Sequence, residues 1–297
     1  MSRIISIVNQ KGGVGKTTTA INLAAYLAHH GKFVLLVDMD PQANASSGLG
    51  IEHMKLNRGI YEVLAEQAKF ADIVQKTNHY GLKVAPATQS LAGASVELVT
   101  IDNREYRLQN VLLEVRNDYD YILIDCPPSL GLLTINALVA AEEILIPIQA
   151  EYYALEGLGQ LLNTLTLVKE NLKPELKVLG SLVTMYDKRN TLSQEVYNEV
   201  LNHFPYRIFG SVIPRNTRLA ESPSHGKSIL EYDPKSSGAK AYEQLAKELI
   251  DLDRENFLNL NIEEVEQPQE EVQTDQIQKE EISGQLPQDK VQDNNIN

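Results

Sequence analysis

The sequence predicts an α/β fold in which a doubly wound, mainly parallel sheet carries helices on both faces. Apolar runs of strand length alternate along the chain with segments of helical periodicity, which is the pattern of βαβ units. A glycine-rich stretch joins the first apolar run to the first helical segment, and two later apolar runs end in aspartate. Because parallel strands end at one edge of a sheet, these features should meet at that edge.

The glycine-rich stretch is Gln10–Thr18 (QKGGVGKTT). It follows the apolar run Ile4–Asn9 and precedes a segment with helical spacing that Gly31 ends. A loop in this position points several backbone N–H groups at an anion, and the dipole of the new helix adds to them. We therefore predict a phosphate-binding loop, in which Lys16 reaches the β- and γ-phosphates and the Thr17 hydroxyl binds Mg²⁺.

The loop departs from the strict pattern G-x-x-x-x-G-K-[ST] at its first position, where Gln10 replaces glycine. A second lysine, Lys11, follows it and precedes a glycine pair. The alternative interpretation is a glycine turn that only joins a strand to a helix. That interpretation does not explain why a lysine and two threonines follow Gly15 in the run Gly15–Thr18 (GKTT).

Two later apolar runs deliver acids to the same edge of the sheet. Phe33–Val37 leads into Asp38 and Asp40, and Tyr121–Ile124 leads into Asp125. The first two acids need not do the same job. Strand-end capping is the alternative for them, and the phosphate loop favours a functional role. Asp125 has the position of a Walker B acid, which predicts that it holds Mg²⁺ through a water.

The remaining elements continue the alternation. Further strands are predicted near residues 82–86, 144–148, 179–185 and 209–213, and helices near 60–64, 108–115, 155–171, 193–203 and 238–252. After residue 261 the chain is rich in glutamine and acids and poor in large apolar residues. Such a segment cannot bury enough surface to offset its ordering entropy. We expect residues 1–254 to form the folded domain and residues 255–297 to be an acidic, glutamine-rich disordered tail.

Composition narrows the class of protein. The 297 residues are 43% hydrophobic and 23% charged, which is ordinary for a soluble globular protein. No apolar run approaches the ~20 residues of a membrane span, and no signal peptide is recognised. The single cysteine, Cys126, fits a reducing compartment, and we expect it to be a packing residue and not a nucleophile. Residues 255–297 carry eleven acids against two lysines, a net charge of −9 out of −13.

The loop Lys11–Thr18 resembles the deviant Walker A motif of the ParA/MinD ATPases. Val37–Gln42 (VDMDPQ) and Ile124–Ser129 (IDCPPS) look like that family's next two motifs. Three more stretches are similar to the chromosome-partitioning Soj/ParA branch: Glu151–Gly157 (EYYALEG), Ile213–Asn216 (IPRN) and Pro223–Lys227 (PSHGK). The resemblance covers about residues 1–253 and implies a P-loop NTPase fold of the deviant Walker A type.

The resemblance implies a role for each matching residue. Lys11 corresponds to the signature lysine that crosses an ATP-sandwich dimer to the partner's phosphates. Lys16 and Thr17 correspond to the phosphate lysine and the magnesium ligand, Asp40 to the acid that orients or activates the attacking water, and Asp125 to the Walker B acid. The implied ATP-binding set is Lys11, Gly12, Gly13, Val14, Gly15, Lys16, Thr17, Thr18, Pro214 and Asn216, the last two at the adenine.

Arg189 and Arg218 match arginines through which the ATP-bound dimer holds double-stranded DNA without sequence preference. From the residues alone Arg189 is more simply a solvated surface arginine, so this assignment depends on the resemblance. The implied function is an ATP-driven DNA-partitioning switch with slow, Mg²⁺-dependent hydrolysis that a ParB/Spo0J-type partner stimulates. Chromosome and plasmid both remain open as cargo. The expected location is the cytoplasm, at the nucleoid when ATP is bound, with no membrane partner.

Three other classes of protein are alternatives to this interpretation. A MinD-like membrane switch needs a basic amphipathic helix at its C-terminus, where this chain is acidic. An iron–sulfur ATPase needs at least two thiolates per subunit of a dimer that shares one cluster, and this chain has only Cys126. A biosynthetic ATP-dependent ligase of related fold remains open. An ATPase rate that rises with DNA and a ParB-type partner would separate the switch from the ligase.

Overall fold

The computed structural model describes residues 2–151 and 154–266. The strands are β1 (Arg3–Ile7), β2 (Val34–Asp38), β3 (Gln75–Lys76), β4 (Leu82–Ala85), β5 (Tyr121–Asp125), β6 (Glu143–Gln149) and β7 (Lys177–Thr184). The helices are α1 (Lys16–His29), α2 (Asn44–Gly48), α3 (Ile60–Leu64), α4 (Phe70–Ile73), α5 (Ala94–Glu97), α6 (Arg107–Val115), α7 (Leu132–Ala140), α8 (Ala154–Asn171), α9 (Thr191–His203), α10 (Thr217–Glu221), α11 (Ile229–Tyr232) and α12 (Ser237–Glu266). Across these ranges no helix has the length and apolar composition needed to cross a membrane.

The strands form one sheet in the order β3-β4-β2-β5-β1-β6-β7. Neighbouring strands are parallel except β3 and β4, which are antiparallel. The predicted mainly parallel sheet is confirmed. The edge strand β3 was not predicted, because two residues are too few to show the period-two pattern of a strand.

Side chains of the central strand β1 enter two different cores. Ile5 and Ile7 pack with residues of α1 and α12 on one face of the sheet. Ile4 and the following Val8 pack on the other face, in a core that includes residues of α3, α6, α7 and α8. A strand covered on both faces needs apolar residues at consecutive positions. The predicted helices on both faces are therefore confirmed.

The strand predicted at residues 209–213 is wrong. The segment runs beside β7 but makes only two isolated bridges, Ser181 with Ile208 and Tyr186 with Pro214. Between these bridges the N–H groups of Gly210 and Ser211 donate to the Glu248 carboxylate, at 2.8 and 3.1 Å. The N–H groups of Phe209 and Ile213 still donate to carbonyls of β7, and the Glu248 side chain of α12 takes the Ser211 N–H between them. The ladder is therefore interrupted at Ser211, and the sequence pattern does not contain that contact.

The last helix is longer than predicted. It was expected to end near Leu252, and α12 continues to Glu266. Residues 253–266 contain no glycine or proline, and the first helix breaker is Pro268, so local propensity allows the extension. Residues Met1–Arg254 form one compact unit. The predicted disorder of the tail lies outside the described residues from position 267 onward, and the division at residue 254 stays a prediction.

The sheet brings the motifs together at the carboxyl ends of its central strands. β5 lies between β1 and β2, so that Asp125 is in register with Ile7 on one side and Asp38 on the other. The glycine-rich loop follows β1 directly. This edge, where loops leave a doubly wound sheet, is the usual ligand site of the architecture.

Candidate active site

The loop between β1 and α1 contains backbone conformations with positive φ that its glycines allow. Gly13 and Gly15 have φ values of +75° and +90°, a region that L side chains rarely adopt. Gly15 is also the N-cap of α1, so the positive end of that helix dipole lies at the loop. A cleft of about 320 Å³ opens here, and its lining includes Gly12, Gly13, Gly15, Lys16, Thr17, Thr18, Asp40 and Met185.

The curve of the loop is held by residues outside the recognised motifs. The Thr184 hydroxyl, at the end of β7, donates to the carbonyl of Val14 at 2.7 Å. The Asn9 side chain accepts from the Lys11 N–H at 3.0 Å and donates to the carbonyl of Pro147 at 2.7 Å. The contact from Thr184 could not be predicted from the sequence, because residues 14 and 184 meet only through the order of strands in the sheet.

Lys16 lies inside the curve of the loop. Its side chain is largely buried, with the residue only 6% exposed, and its ammonium donates to the Lys11 carbonyl at 3.2 Å. Burial lowers the pKa of Lys16, while the nearby carboxylates of Asp125 and Asp40 act in the opposite direction. An ammonium held in a partly desolvated loop is suited to bind a polyanion, which would replace the solvation that the lysine has lost.

Asp125 is a fully buried carboxyl whose two oxygens have no hydrogen-bond partner in the described part of the chain. Burial, followed by the neighbouring charge of Asp38, raises the pKa of Asp125 well above its usual value. The Thr17 hydroxyl is near enough to favour the charged form, although it makes no hydrogen bond of normal geometry with this carboxyl. A buried, unpartnered carboxylate is costly unless a cation or a donor satisfies it.

These two side chains fit a magnesium ion that is shared with a nucleotide. Mg²⁺ at phosphate sites takes one or two oxygen ligands from the protein and the others from phosphates and waters. The Thr17 hydroxyl and the Asp125 carboxylate offer oxygens of that kind. Over residues 2–151 and 154–266, no group of three or more His, Cys, Asp or Glu residues is arranged to hold a metal ion without such a shared ligand.

Asp38 and Asp40 lie in different surroundings. Asp38 is completely buried and accepts hydrogen bonds on both oxygens, from Ser46 and from the Asp40 N–H. Burial raises the pKa of Asp38 to about 6. Asp40 lines the cleft and is 7% exposed, and its carboxylate accepts from the Gln42 N–H at 3.0 Å. Of the two acids, Asp40 is therefore the one that a ligand in the cleft can reach.

Lys11 is not brought into this cleft. Its ammonium lies 3.8 Å from the carboxylate of Glu151, and its side chain is 31% exposed. The same carboxylate accepts from Arg215 at 3.0 Å. Lys11 thus belongs to a small charged cluster beside the loop, and sequence reasoning did not single out Glu151 as its neighbour.

Pro214 and Asn216 lie apart from the phosphate loop. Pro214 lines a second cleft, of about 380 Å³, together with Tyr186, Asp187 and Ser237. The Asn216 side chain caps α10 by accepting from the N–H groups of Arg218 and Leu219, at 2.8 and 3.3 Å. Its amide donates to the Ser237 hydroxyl at 2.8 Å. Asn216 therefore has a structural task that its sequence position alone does not disclose.

Arg189 and Arg218 are surface residues, with side chains 84% and 53% exposed. Arg189 makes a two-pronged ion pair with Asp187, at 3.0 and 3.1 Å, and holds the pKa of that carboxyl at about 2, well below its usual range. Arg218 pairs with Glu221 at 2.9 Å and lies 3.6 Å from Asp233. Each arginine has a carboxylate partner within its own chain.

Cys126, which follows Asp125, is fully buried in the core on one face of the sheet. Burial raises the pKa of the Cys126 thiol well above its usual value, so the thiolate that nucleophilic chemistry requires is disfavoured. This is the environment predicted for a packing residue.

Comparisons with known proteins identify relatives over most of the chain. The family profile described as "AAA domain" matches residues 2–178. The sporulation initiation inhibitor protein Soj of Bacillus subtilis (strain 168) is 55% identical over 249 residues, which are 84% of this chain and 98% of that protein. The chromosome partitioning protein ParA of Myxococcus xanthus (strain DK1622) is 54% identical over 253 residues, 85% of this chain and 89% of that protein.

A solved structure shares the fold. The crystal structure of cobyrinic acid a,c-diamide synthase from Mycobacterium smegmatis, with bound ADP and magnesium, matches with a TM-score of 0.75 and 38% sequence identity. The match covers 84% of this chain and 94% of that one. The higher identities to the partitioning proteins, together with the lysine-first phosphate loop and the two acids beside it, show that the chain belongs to the ParA/Soj family of chromosome-partitioning ATPases.

Proposed function

We propose that this ATPase is a DNA-positioning switch in the cytoplasm. Its ATP-bound sandwich dimer holds double-stranded DNA without sequence preference, at the nucleoid. A ParB/Spo0J-type partner stimulates hydrolysis, and the ADP-bound monomers leave the DNA. The observation that carries the proposal is the position of Lys11, whose ammonium lies beside Glu151 and outside the cleft of its own chain. Its charge is therefore available to a second subunit.

The chemistry of the proposed switch is positioning and charge neutralisation. Lys16 and the loop N–H groups hold the phosphates, the adenine lies near Pro214 and Asn216, and Asp40 orients the attacking water. Thr17 and, through a water, Asp125 would hold Mg²⁺, which would supply charge neutralisation for the phosphates. Lys11 of the second subunit adds positive charge only after dimerisation, so hydrolysis depends on assembly.

Gly12 provides a test of the proposed dimer. A Cβ built at Gly12 would lie 3.9 Å from the Pro128 Cβ and meet nothing closer, so a side chain there starts into free space within its own chain. We expect Gly12→Val to bind nucleotide and to fail to dimerise with ATP, because the added side chain would stand in the subunit interface. Light scattering with ATP and Mg²⁺ measures this, and a Gly12→Val dimer of normal affinity would contradict the arrangement.

Lys11 has its own test in partner-stimulated hydrolysis. Lys11→Ala should leave ATP binding intact and abolish the stimulation by DNA and a ParB-type partner, since the missing charge acts in the other subunit's site. Lys55→Ala is a control for the loss of a lysine charge, because Lys55 is also paired with a glutamate, Glu52 at 2.8 Å, and does not line the cleft. Unchanged stimulation in Lys11→Ala would remove this residue from the mechanism.

DNA binding through Arg189 and Arg218 requires each guanidinium to exchange a carboxylate for a phosphate. Exposed ion pairs of this kind contribute little to stability because water screens them, so the exchange costs little. Both side chains are exposed, and phosphate contacts carry no sequence information. The arginines therefore support binding to DNA of any sequence.

The deciding experiment is DNA binding measured with ATP, with ADP and without nucleotide. The switch predicts binding with ATP only, and stronger binding by Asp40→Ala, which should keep ATP and stay dimeric. A biosynthetic enzyme related to the diamide synthase predicts no ATP-dependent DNA binding. Equal DNA binding in all three nucleotide states, or none in any of them, would overturn the proposed function.

A further inference from the structure

Ser46 connects the ends of two neighbouring strands to the helix between them. Its hydroxyl donates to one oxygen of Asp38 at 2.7 Å and accepts from the Ala87 N–H at 3.2 Å. Its N–H donates to the same Asp38 oxygen at 2.8 Å. Ser46 is completely buried and does not line the nucleotide cleft. The serine is therefore hydrogen-bonded on both sides without being able to touch a ligand there.

The other oxygen of Asp38 accepts from the Asp40 N–H at 3.2 Å. Asp38 thus ties the start of α2, through Ser46, to the backbone of the residue that lines the cleft. The turn between them contains Ala43 with φ +52°, a left-handed conformation that favours glycine. A non-glycine residue stays in that region only where its surroundings restrain it, and the Asp38–Ser46 contacts provide such a restraint.

We propose that Ser46 is a positioning residue for ATP hydrolysis, which acts through Asp38 to hold Asp40 in place. The proposal rests on the function proposed above for Asp40 as the group that orients the water. Without the hydroxyl, the Asp38 carboxylate loses a donor, the Ala87 N–H loses its acceptor, and the turn that carries Asp40 loses its anchor. Small displacements of a group that positions a reactant are costly to rate.

The test compares Ser46→Ala with Ser47→Ala. Ser47 is a matched control, because it is the adjacent serine of the same helix and its hydroxyl bonds only to the carbonyl of Ala43, at 3.0 Å. We expect Ser46→Ala to lower kcat by about 10- to 100-fold with unchanged ATP affinity, and Ser47→Ala to leave both unchanged. Ser46→Cys keeps nearly the same shape and gives up the strong hydrogen bonds, so it should repeat the loss if Ser46→Ala folds poorly.

A double substitution separates this inference from the proposed function. If Ser46 acts through Asp40, adding Ser46→Ala to Asp40→Ala causes no further loss of single-turnover rate. An unchanged kcat in both Ser46 variants overturns the inference, and so does a loss of ATP affinity and Tm that parallels the loss of kcat. If Asp40→Ala itself hydrolyses ATP at the wild-type rate, the assignment of Asp40 fails, whatever the Ser46 variants show.

Discussion

Thr184 holds the phosphate loop from a strand that lies far away in sequence, and it can be tested directly. Its hydroxyl donates to the Val14 carbonyl at 2.7 Å, and the residue is 2% exposed. Thr184→Val keeps the shape of the side chain and removes the donor. A buried carbonyl left without its partner costs about 1–3 kcal/mol of the free energy of unfolding. For a chain of this size, each kcal/mol lowers the Tm by about 2–4 °C.

The same substitution should weaken ATP binding. The loop must hold its curve for its N–H groups to converge on a phosphate, so part of the lost free energy appears as ordering cost when ATP binds. About 1.4 kcal/mol spent in this way raises the Kd for ATP tenfold. Thermal unfolding without nucleotide and titration with a fluorescent ATP analogue measure the two effects separately.

Two control variants test whether the lost hydroxyl of Thr184 is the cause. Thr184→Ser keeps the donor and should bind ATP like the wild type. Thr164→Val removes a hydroxyl that bonds to Gln160 at 3.1 Å on an exposed helix surface, and it should change neither quantity. A Thr184→Val protein that melts and binds ATP like the wild type would show that the loop keeps its curve without β7.

Three other predictions follow from the site and the charge distribution. Lys16→Ala should abolish hydrolysis and severely weaken ATP binding, because a triphosphate would lose its central cation; normal turnover would mean that the site is misassigned. Arg189→Ala or Arg218→Ala should weaken DNA binding uniformly across sequences with basal hydrolysis unchanged. A symmetric dimer loses two phosphate contacts per substitution, so the slope of log affinity against log salt concentration should become less steep by about 1.8. Unchanged slopes in titrations of two unrelated duplexes would show that both arginines only form surface ion pairs. Truncation after Arg254 should leave folding and ATPase intact and tighten DNA binding at low salt, because it removes a net charge of −9; a lower Tm would show that the tail packs on the domain.

Much of the fold could be predicted because its signals are local. The apolar runs that became β1, β2 and β5 need no partner to be recognised, and neither does the helix that follows the glycines. The segment 209–213 shows where this reasoning stops. Its apolar residues have the pattern of a strand, but Glu248 of α12 accepts the N–H groups of Gly210 and Ser211. Glu248 lies 37 residues after Ser211 along the chain. The sequence of the segment itself does not show that a distant side chain competes for its backbone N–H groups.

The candidate site divides in the same way. By itself the sequence determined the phosphate loop, the acids at the ends of β2 and β5, and the family. The glycines, the lysine and the acids of such a site occur in a recognisable order along the chain. Only the tertiary structure decided that Thr184 bonds to the loop, that Asp38 accepts from both Ser46 and the Asp40 N–H, and that Lys11 lies beside Glu151. Those contacts join residues whose separation is set by strand order and not by spacing along the chain. Hydrogen bonds and ion pairs depend on distances of a few ångströms, and folding alone creates those distances.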